Sequence, residues 1–173
     1  MNKWYMNAPK IGLDIDDVIA DFIPAFALKY GLELPNAWAW SYRKDECFKD
    51  LMRDKAEMQE FYLSLPVKIA PESIPFEPHC YITSRSIPIG ITQKWIELNN
   101  FPCAPVYTVD FNHSKVEVAR MSGVDVYIDD RFENFVELNN AGICTYLFDC
   151  THNQRYDVGE MRIKSLNDLP WFR

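Results

Sequence analysis

GLDIDDVIADF, residues 12–22, decides how this sequence is read. Four aspartates, Asp14, Asp16, Asp17 and Asp21, interrupt a stretch that is otherwise apolar. Three of them follow directly on the run Ile11, Gly12, Leu13. A continuous aliphatic run of this kind suits a strand buried on both faces of a parallel sheet. Carboxylates crowded at the end of such a strand repel one another, so they need a task that makes the crowding tolerable.

The rest of the chain repeats the pattern of a short apolar run followed by a helical stretch. KIGLDID (10–16), CYITS (80–84), PVYTV (105–109), VDVYIDD (124–130) and ICTYLFD (143–149) read as buried strands, and MRIKS (161–165) as a short edge strand. ITQKWIELNN (91–100) places Ile91, Trp95 and Leu98 at helical spacing. SKVEVARMSG (114–123) opens on Ser114 as a cap and stops at Gly123. RFENFVELNNAG (131–142) sets Phe132, Phe135, Val136 and Leu138 on one face. Strands alternating with helices predict a mostly parallel sheet between helical layers, a Rossmann-like α/β sandwich.

Residues 21–75 contain no convincing strand. DFIPAFALKYG (21–31) is helical if Pro24 falls in the first turn. NAWAW (36–40) and the helix-forming DECFKDLMRDKAEMQEFYLSL (45–65) follow. Residues 1–21 and 75–173 therefore read as the α/β core, and 22–74 as a small helical cap inserted after the first strand.

In an open parallel sheet, ligands bind beyond the carboxyl ends of the strands. Those ends carry Asp14, Asp16 and Asp17, then Thr83, Ser84 and Arg85, then Asp129, Asp130 and Arg131, with Lys115 opening the helix after the third strand. Oxygen ligands without imidazole or thiolate favour Mg²⁺, which leaves coordination positions for a phosphate. Hydroxyls and a lysine suit the phosphate's other oxygens, and an aspartate can attack phosphorus.

DID (14–16), YITS (81–84), Lys115 and IDD (128–130), in this order, resemble the four motifs of the haloacid dehalogenase (HAD) superfamily of phosphotransferases. Within it, DIDDVIADF, FYLSLPV (61–67) and YLFDCTHN (146–153) are most similar to the 5'(3')-deoxyribonucleotidases. The resemblance implies a HAD-like fold and a Mg²⁺-dependent phosphatase that hydrolyses nucleoside monophosphates, deoxyribonucleotides first, through an aspartyl phosphate. It makes Asp14 the nucleophile and a metal ligand, and Asp16 the acid/base whose backbone carbonyl also binds metal. Thr83, Ser84 and Lys115 would hold the phosphoryl group, and Arg85 could reach it. Asp130 is the first choice for the direct metal ligand, with Asp129 behind it. Phe22 matches a residue that contacts the nucleoside. Two positions depart from the family: Asp17 stands where glycine is usual, and Arg85 where proline is frequent. Trp38, Trp40, Phe48 and Tyr62 could stack on a base or fill the interior of the insert; His152 and Asn153 could meet substrate or fix a turn.

Composition bounds the alternatives. With 25 acidic against 18 basic residues the net charge is −7, which disfavours a nucleic-acid polymer as partner. Five cysteines without C-x-x-C spacing read as reduced thiols, and the three histidines form no zinc pattern with them. No apolar run reaches the roughly 20 residues of a membrane span. These features predict a soluble, cytoplasmic protein with a small-molecule substrate, and a homodimer is compatible with them. The competing functions are a HAD phosphatase for another small phosphoester and a catalytically silent nucleotide-binding module. The intact pair Asp14 and Asp16 speaks against the latter.

Overall fold

The structure, a computed structural model, describes residues 8–34, 46–110 and 112–172. NAWAW, with Trp38 and Trp40, lies outside the described residues. The strands are β1 (Ile11–Leu13), β2 (Cys80–Thr83), β3 (Val106–Thr108), β4 (Val126–Asp129), β5 (Cys144–Phe148) and β6 (Arg162–Ile163). They form one sheet in the order β3-β2-β1-β4-β5-β6, and every neighbouring pair is parallel. β1 is central, with Leu13 beside Tyr81 on one flank and Ile128 on the other. The strand order turns back between β1 and β4, so the crevice for a ligand opens at their carboxyl ends.

The described helices are α1 (Phe22–Tyr30), α2 (Glu46–Arg53), α3 (Lys55–Leu63), α4 (Ile89–Leu98), α5 (Val116–Ser122) and α6 (Phe132–Asn140). Alternation along the strands sends side chains to two apolar layers. Ile11, Leu13, Tyr81, Val126 and Ile128 join Phe26, Leu51, Phe61 and Trp95 from α1 to α4. Cys80, Ile82 and Tyr127 meet Ala119 of α5 and Leu138 of α6 on the other face. Gly12 faces this second layer, where a Cβ would stand 2.9 Å from the Tyr127 ring, so only glycine fits there.

Pro24 is the third residue of α1, where its missing N–H costs nothing, and Gly31 closes the helix at φ 63°. The stretch 45–65 is not one helix. Asp54 breaks it, because its carboxylate caps α3 by accepting from Ala56 and Glu57 N–H. On α6 the apolar face is shallower than its spacing predicts: Leu138 is buried, whereas Phe132, Phe135 and Val136 are half-buried. The second buried residue of that helix is the polar Asn134.

The two chain segments that lead into and out of the inserted helices run side by side. Ala20 pairs antiparallel with Val67, Lys68 N–H donates to Ile19 O at 2.9 Å, and Lys68 Nζ lies 3.1 Å from Asp21 Oδ1. This zipper holds the helices α1 to α3 at the carboxyl end of β1. No disulfide joins any of the five cysteines. Among the described residues, no helix is long and apolar enough to cross a membrane.

Candidate active site

Asp14 leaves β1 with its N–H still bonded to Ile128 O at 2.9 Å, which fixes its side chain at the β1–β4 crevice. Its Oδ1 accepts from Ile15 N–H at 2.7 Å and its Oδ2 meets Lys115 Nζ at 2.6 Å. The chain then tightens: the Ile15 carbonyl accepts from both Ile19 and Ala20 N–H at 2.9 Å. Asp17 turns this loop at φ 60°. The left-handed region is easiest for glycine and next easiest for aspartate or asparagine, which explains why glycine is expected at this position and why an aspartate is accepted.

Lys115, at the N-terminus of α5, is buried between two carboxylates, 2.6 Å from Asp14 Oδ2 and 2.8 Å from Asp129 Oδ2. Burial alone would lower its pKa, but Asp129 and Asp14 outweigh that and hold it above the ordinary value. Asp129 is saturated by neighbours. Arg131 N–H donates to its Oδ1, and Asn134 Nδ2 lies 3.1 Å from both of its oxygens. Asn134 went unnoticed in the sequence, because reading α6 for its apolar face passes over the polar residue on the buried side.

Asp130 is held differently. Its Oδ2 lies 2.7 Å from His152 Nε2, and its backbone carbonyl accepts from Asn153 Nδ2 at 2.7 Å. Asn153 also bonds Phe148 O and Cys150 N–H, so it ties the end of β5 to the end of β4. His152 and Asn153 therefore fix the loop that carries Asp130.

The second strand contributes Thr83 and Ser84. Thr83 Oγ1 is fully buried and has no hydrogen-bond partner, an orphaned hydroxyl at the wall of a narrow cavity. Asp14, Asp16, Ser84, Asp130, Arg131 and Asn134 complete that wall. The cavity measures about 20 Å³. Arg85, which could reach a phosphate by its place after β2, does not line the cavity. Its guanidinium is buried and grips Asp16, with Nη2 at 2.7 Å from Oδ1 and Nε at 3.0 Å from each oxygen. The arginine at the cavity wall is instead Arg131, which the strand-end pattern had placed on the same rim.

Phe22 packs among Phe26, Phe48, Phe61 and Tyr62, with ring centroids between 5.8 and 6.4 Å from its own. Phe48 and Tyr62 thus take part in the interior of the inserted helices. Asp16 stands apart from the other acids: Asp14, Asp129 and Asp130 bring carboxylate oxygens within 4.8 Å of one another, and Asp16 is not in that group.

Charge is unbalanced here. Burial pushes the Asp14 carboxyl well above its ordinary range, Lys115 opposes this, and Asp129 and Asp130 add to it. Burial likewise raises Asp130, against the lowering contact with His152. Asp17 is raised by burial and then by Asp130; its Oδ1 accepts from Ile23 N–H while its Oδ2 has no partner. A carboxyl raised in the folded state costs stability as pH climbs from the ordinary carboxylate range through its raised value. Asp17→Asn removes that cost, keeps the acceptor for Ile23 and suits the left-handed backbone. It is expected to raise Tm by about 2–4 °C, or about 1 kcal/mol, at pH 7–8. The gain should shrink toward pH 3, where the wild-type carboxyl is protonated in both states; thermal melts across this range check it.

No family model matches the chain, and no curated protein matches it. Among solved structures, the chain is similar to a HAD-superfamily hydrolase, subfamily IA, variant 1, from Geobacter sulfurreducens. The TM-score is 0.56 at 10% identity, covering 97% of this chain and 99% of that one. At that identity the likeness is one of fold. The parallel six-stranded sheet between helical layers, with acids at the ends of its two central strands, is a HAD-like α/β fold.

Proposed function

We propose that this protein is a Mg²⁺-dependent phosphatase that hydrolyses nucleoside monophosphates, deoxyribonucleotides foremost, through a phosphoryl group carried on Asp14. The observation that carries the reading is that Asp14, paired with the buried Lys115, and the orphaned Thr83 hydroxyl line one cavity at the carboxyl ends of the strands. A buried hydroxyl without a partner costs stability, and a phosphoryl oxygen would supply the missing bond.

The donor set also fits a divalent cation. Three carboxylates lie within reach of one another, and Lys115 alone leaves Asp14 raised. Asp14, Asp130 and the Asp16 carbonyl would hold Mg²⁺, whose charge would offset that of the phosphoryl oxygens. Asp130 rather than Asp129 is assigned as the ligand, because Asp130 lines the cavity while Asp129 is taken up by Lys115, Asn134 and Arg131 N–H.

In the first step an Asp14 oxygen attacks phosphorus, the bond from phosphorus to the sugar oxygen breaks, and Asp16 gives that oxygen a proton. In the second, Asp16 takes a proton from water as the water oxygen attacks phosphorus. The acyl phosphate bond breaks, and Asp14 and inorganic phosphate are released. Lys115 opposes the rise that burial imposes on the Asp14 carboxyl and holds its Oδ2 in place. Thr83 and Ser84 would bind phosphoryl oxygens, and Arg131 takes the place at the cavity wall that Arg85 does not fill. A space of about 20 Å³ holds roughly one water-sized group, so substrate binding widens it.

The nucleotide preference is supported by the likeness of DIDDVIADF and FYLSLPV to the 5'(3')-deoxyribonucleotidases. The same likeness makes Phe22 a nucleoside contact, although its ring packs within the aromatic cluster of α1 to α3 and does not line the cavity. The test is phosphate release from a matrix of deoxy- and ribonucleoside monophosphates and sugar phosphates, with and without Mg²⁺. Mg²⁺-dependent release led by deoxyribonucleotides is expected. Sugar phosphates outperforming every nucleotide would remove the substrate claim, and silence across the whole panel would remove the phosphatase.

A further inference from the structure

We infer that Arg85 is the positioning residue of Asp16: it acts on catalysis by fixing the direction of that carboxylate, without touching the phosphate. The inference rests on the reading of Asp16 as acid/base. Asp16 is the partly exposed member of the pair and lines the cavity beside Asp14; the Arg85 side chain is 0% exposed.

Each of the three guanidinium nitrogens has a partner. Nε and Nη2 are on Asp16, and Nη1 faces Thr92 Oγ1 at 3.5 Å. One side of its plane lies by the Tyr62 ring, 5.1 Å from the centroid, and Trp95 stands at 5.7 Å. Trp95 is itself pinned, donating from its indole N–H to Leu65 O at 2.9 Å. The side chain is fully buried and does not line the cavity, so it does not face the space a phosphate would enter.

The chain of contacts explains why the fold tolerates a buried arginine. Charge pairing and cation–π contact offset its desolvation. In return, a carboxylate on a loop acquires a direction set by three elements: the end of β2 through Arg85, α4 through Thr92 and Trp95, and α3 through Tyr62. A two-point guanidinium grip restricts rotation in a way that a single-point lysine contact does not.

The consequence appears in the leaving group. Proton donation by Asp16 matters when the departing oxygen is a sugar alkoxide. It matters little for p-nitrophenyl phosphate, whose phenolate leaves unprotonated. kcat/KM reports the steps through departure of that group, so the ratio of kcat/KM for a nucleoside monophosphate to that for p-nitrophenyl phosphate isolates the acid. Arg85→Gln is expected to lower kcat/KM for the nucleotide by about 10²-fold. The aryl phosphate should change by less than about 3-fold, following the pattern of Asp16→Asn. Arg85→Lys, which keeps the buried charge and covers the case in which the glutamine variant does not fold, should lie between. A fall of equal size on both substrates would make Arg85 a phosphate ligand or a general structural support and overturn the inference. So would a nucleotide rate that rises when Arg85 is removed. If Asp16→Asn itself shows no dependence on the leaving group while wild type turns over both substrates, the acid/base reading fails, and the inference with it. A flat ratio confined to the Arg85 variants overturns the inference alone.

Discussion

Asp14→Asn abolishes phosphate release, with an expected loss in kcat of at least about 10⁴-fold, the scale seen when a covalent nucleophile is removed. The reason lies in the geometry of one carboxylate. Asp14 sits at the end of the central strand, its backbone bonded to β4, its Oδ2 on Lys115 and its side chain at the cavity wall. An amide in its place has no charge with which to form a bond to phosphorus. Lys115 keeps Asp129 as a partner in the variant, so the fold should survive. Phosphate release and acid-quenched labelling of the protein check both halves: wild type should trap a phosphoryl group and the variant none. Turnover retained by the variant would rule out a phosphoryl group on Asp14.

Lys115→Met is the second large effect, and it falls on stability as well as on rate. The lysine is the buried cation between Asp14 and Asp129, and its removal takes away the positive charge in direct contact with both while Asp130 stays beside them. Breaking a buried pair by deleting one partner costs about 3–5 kcal/mol. For a chain of this size that lowers Tm by on the order of 10 °C. The pH dependence follows from the direction of the shift. Lys115 is held above its ordinary value of 10.5, so its contribution is complete through neutral pH and is lost only in alkali. The deficit of the variant should therefore be full at pH 7–8 and should narrow in acid as the carboxyls protonate. Mg²⁺ should recover part of it at pH 7–8. Melting curves with and without Mg²⁺ measure this, and a variant as stable as wild type at pH 8 would remove Lys115 from the charge balance.

Much of the architecture was legible in the chain. Each strand expected from an apolar, β-branched run is present. β1, β2 and β4 are buried throughout and β5 nearly so, as strands inside a parallel sheet must be. β3, expected to be buried, instead lies at the sheet edge with Tyr107 and Thr108 exposed. MRIKS shortens to the two residues of β6 at the sheet edge. The helices were less exact. Periodicity alone did not divide 45–65, since the break at Asp54 depends on a side-chain cap. Asn134 was missed on α6 because its burial answers to Asp129, a residue on another element.

The sequence by itself determined which residues meet at the end of the sheet. Once the strands are parallel, the groups at their carboxyl ends, Asp14, Asp16, Thr83, Ser84, Asp129 and Asp130, must share one rim. What only the tertiary structure decided is the direction of each side chain on that rim. Arg85 and Arg131 follow strand ends with equal claim to a phosphate. One is drawn under Tyr62 and Trp95 onto Asp16, and the other lines the cavity. Asp129 and Asp130 are adjacent, yet Lys115 and Asn134 take the first and His152 the second. Asp17 carries a left-handed turn that glycine would have announced. Strand position is a local property of the backbone and can be read from the pattern of apolar residues. The aim of a polar side chain is set by partners tens of residues away, and those partners become neighbours only when the sheet is assembled.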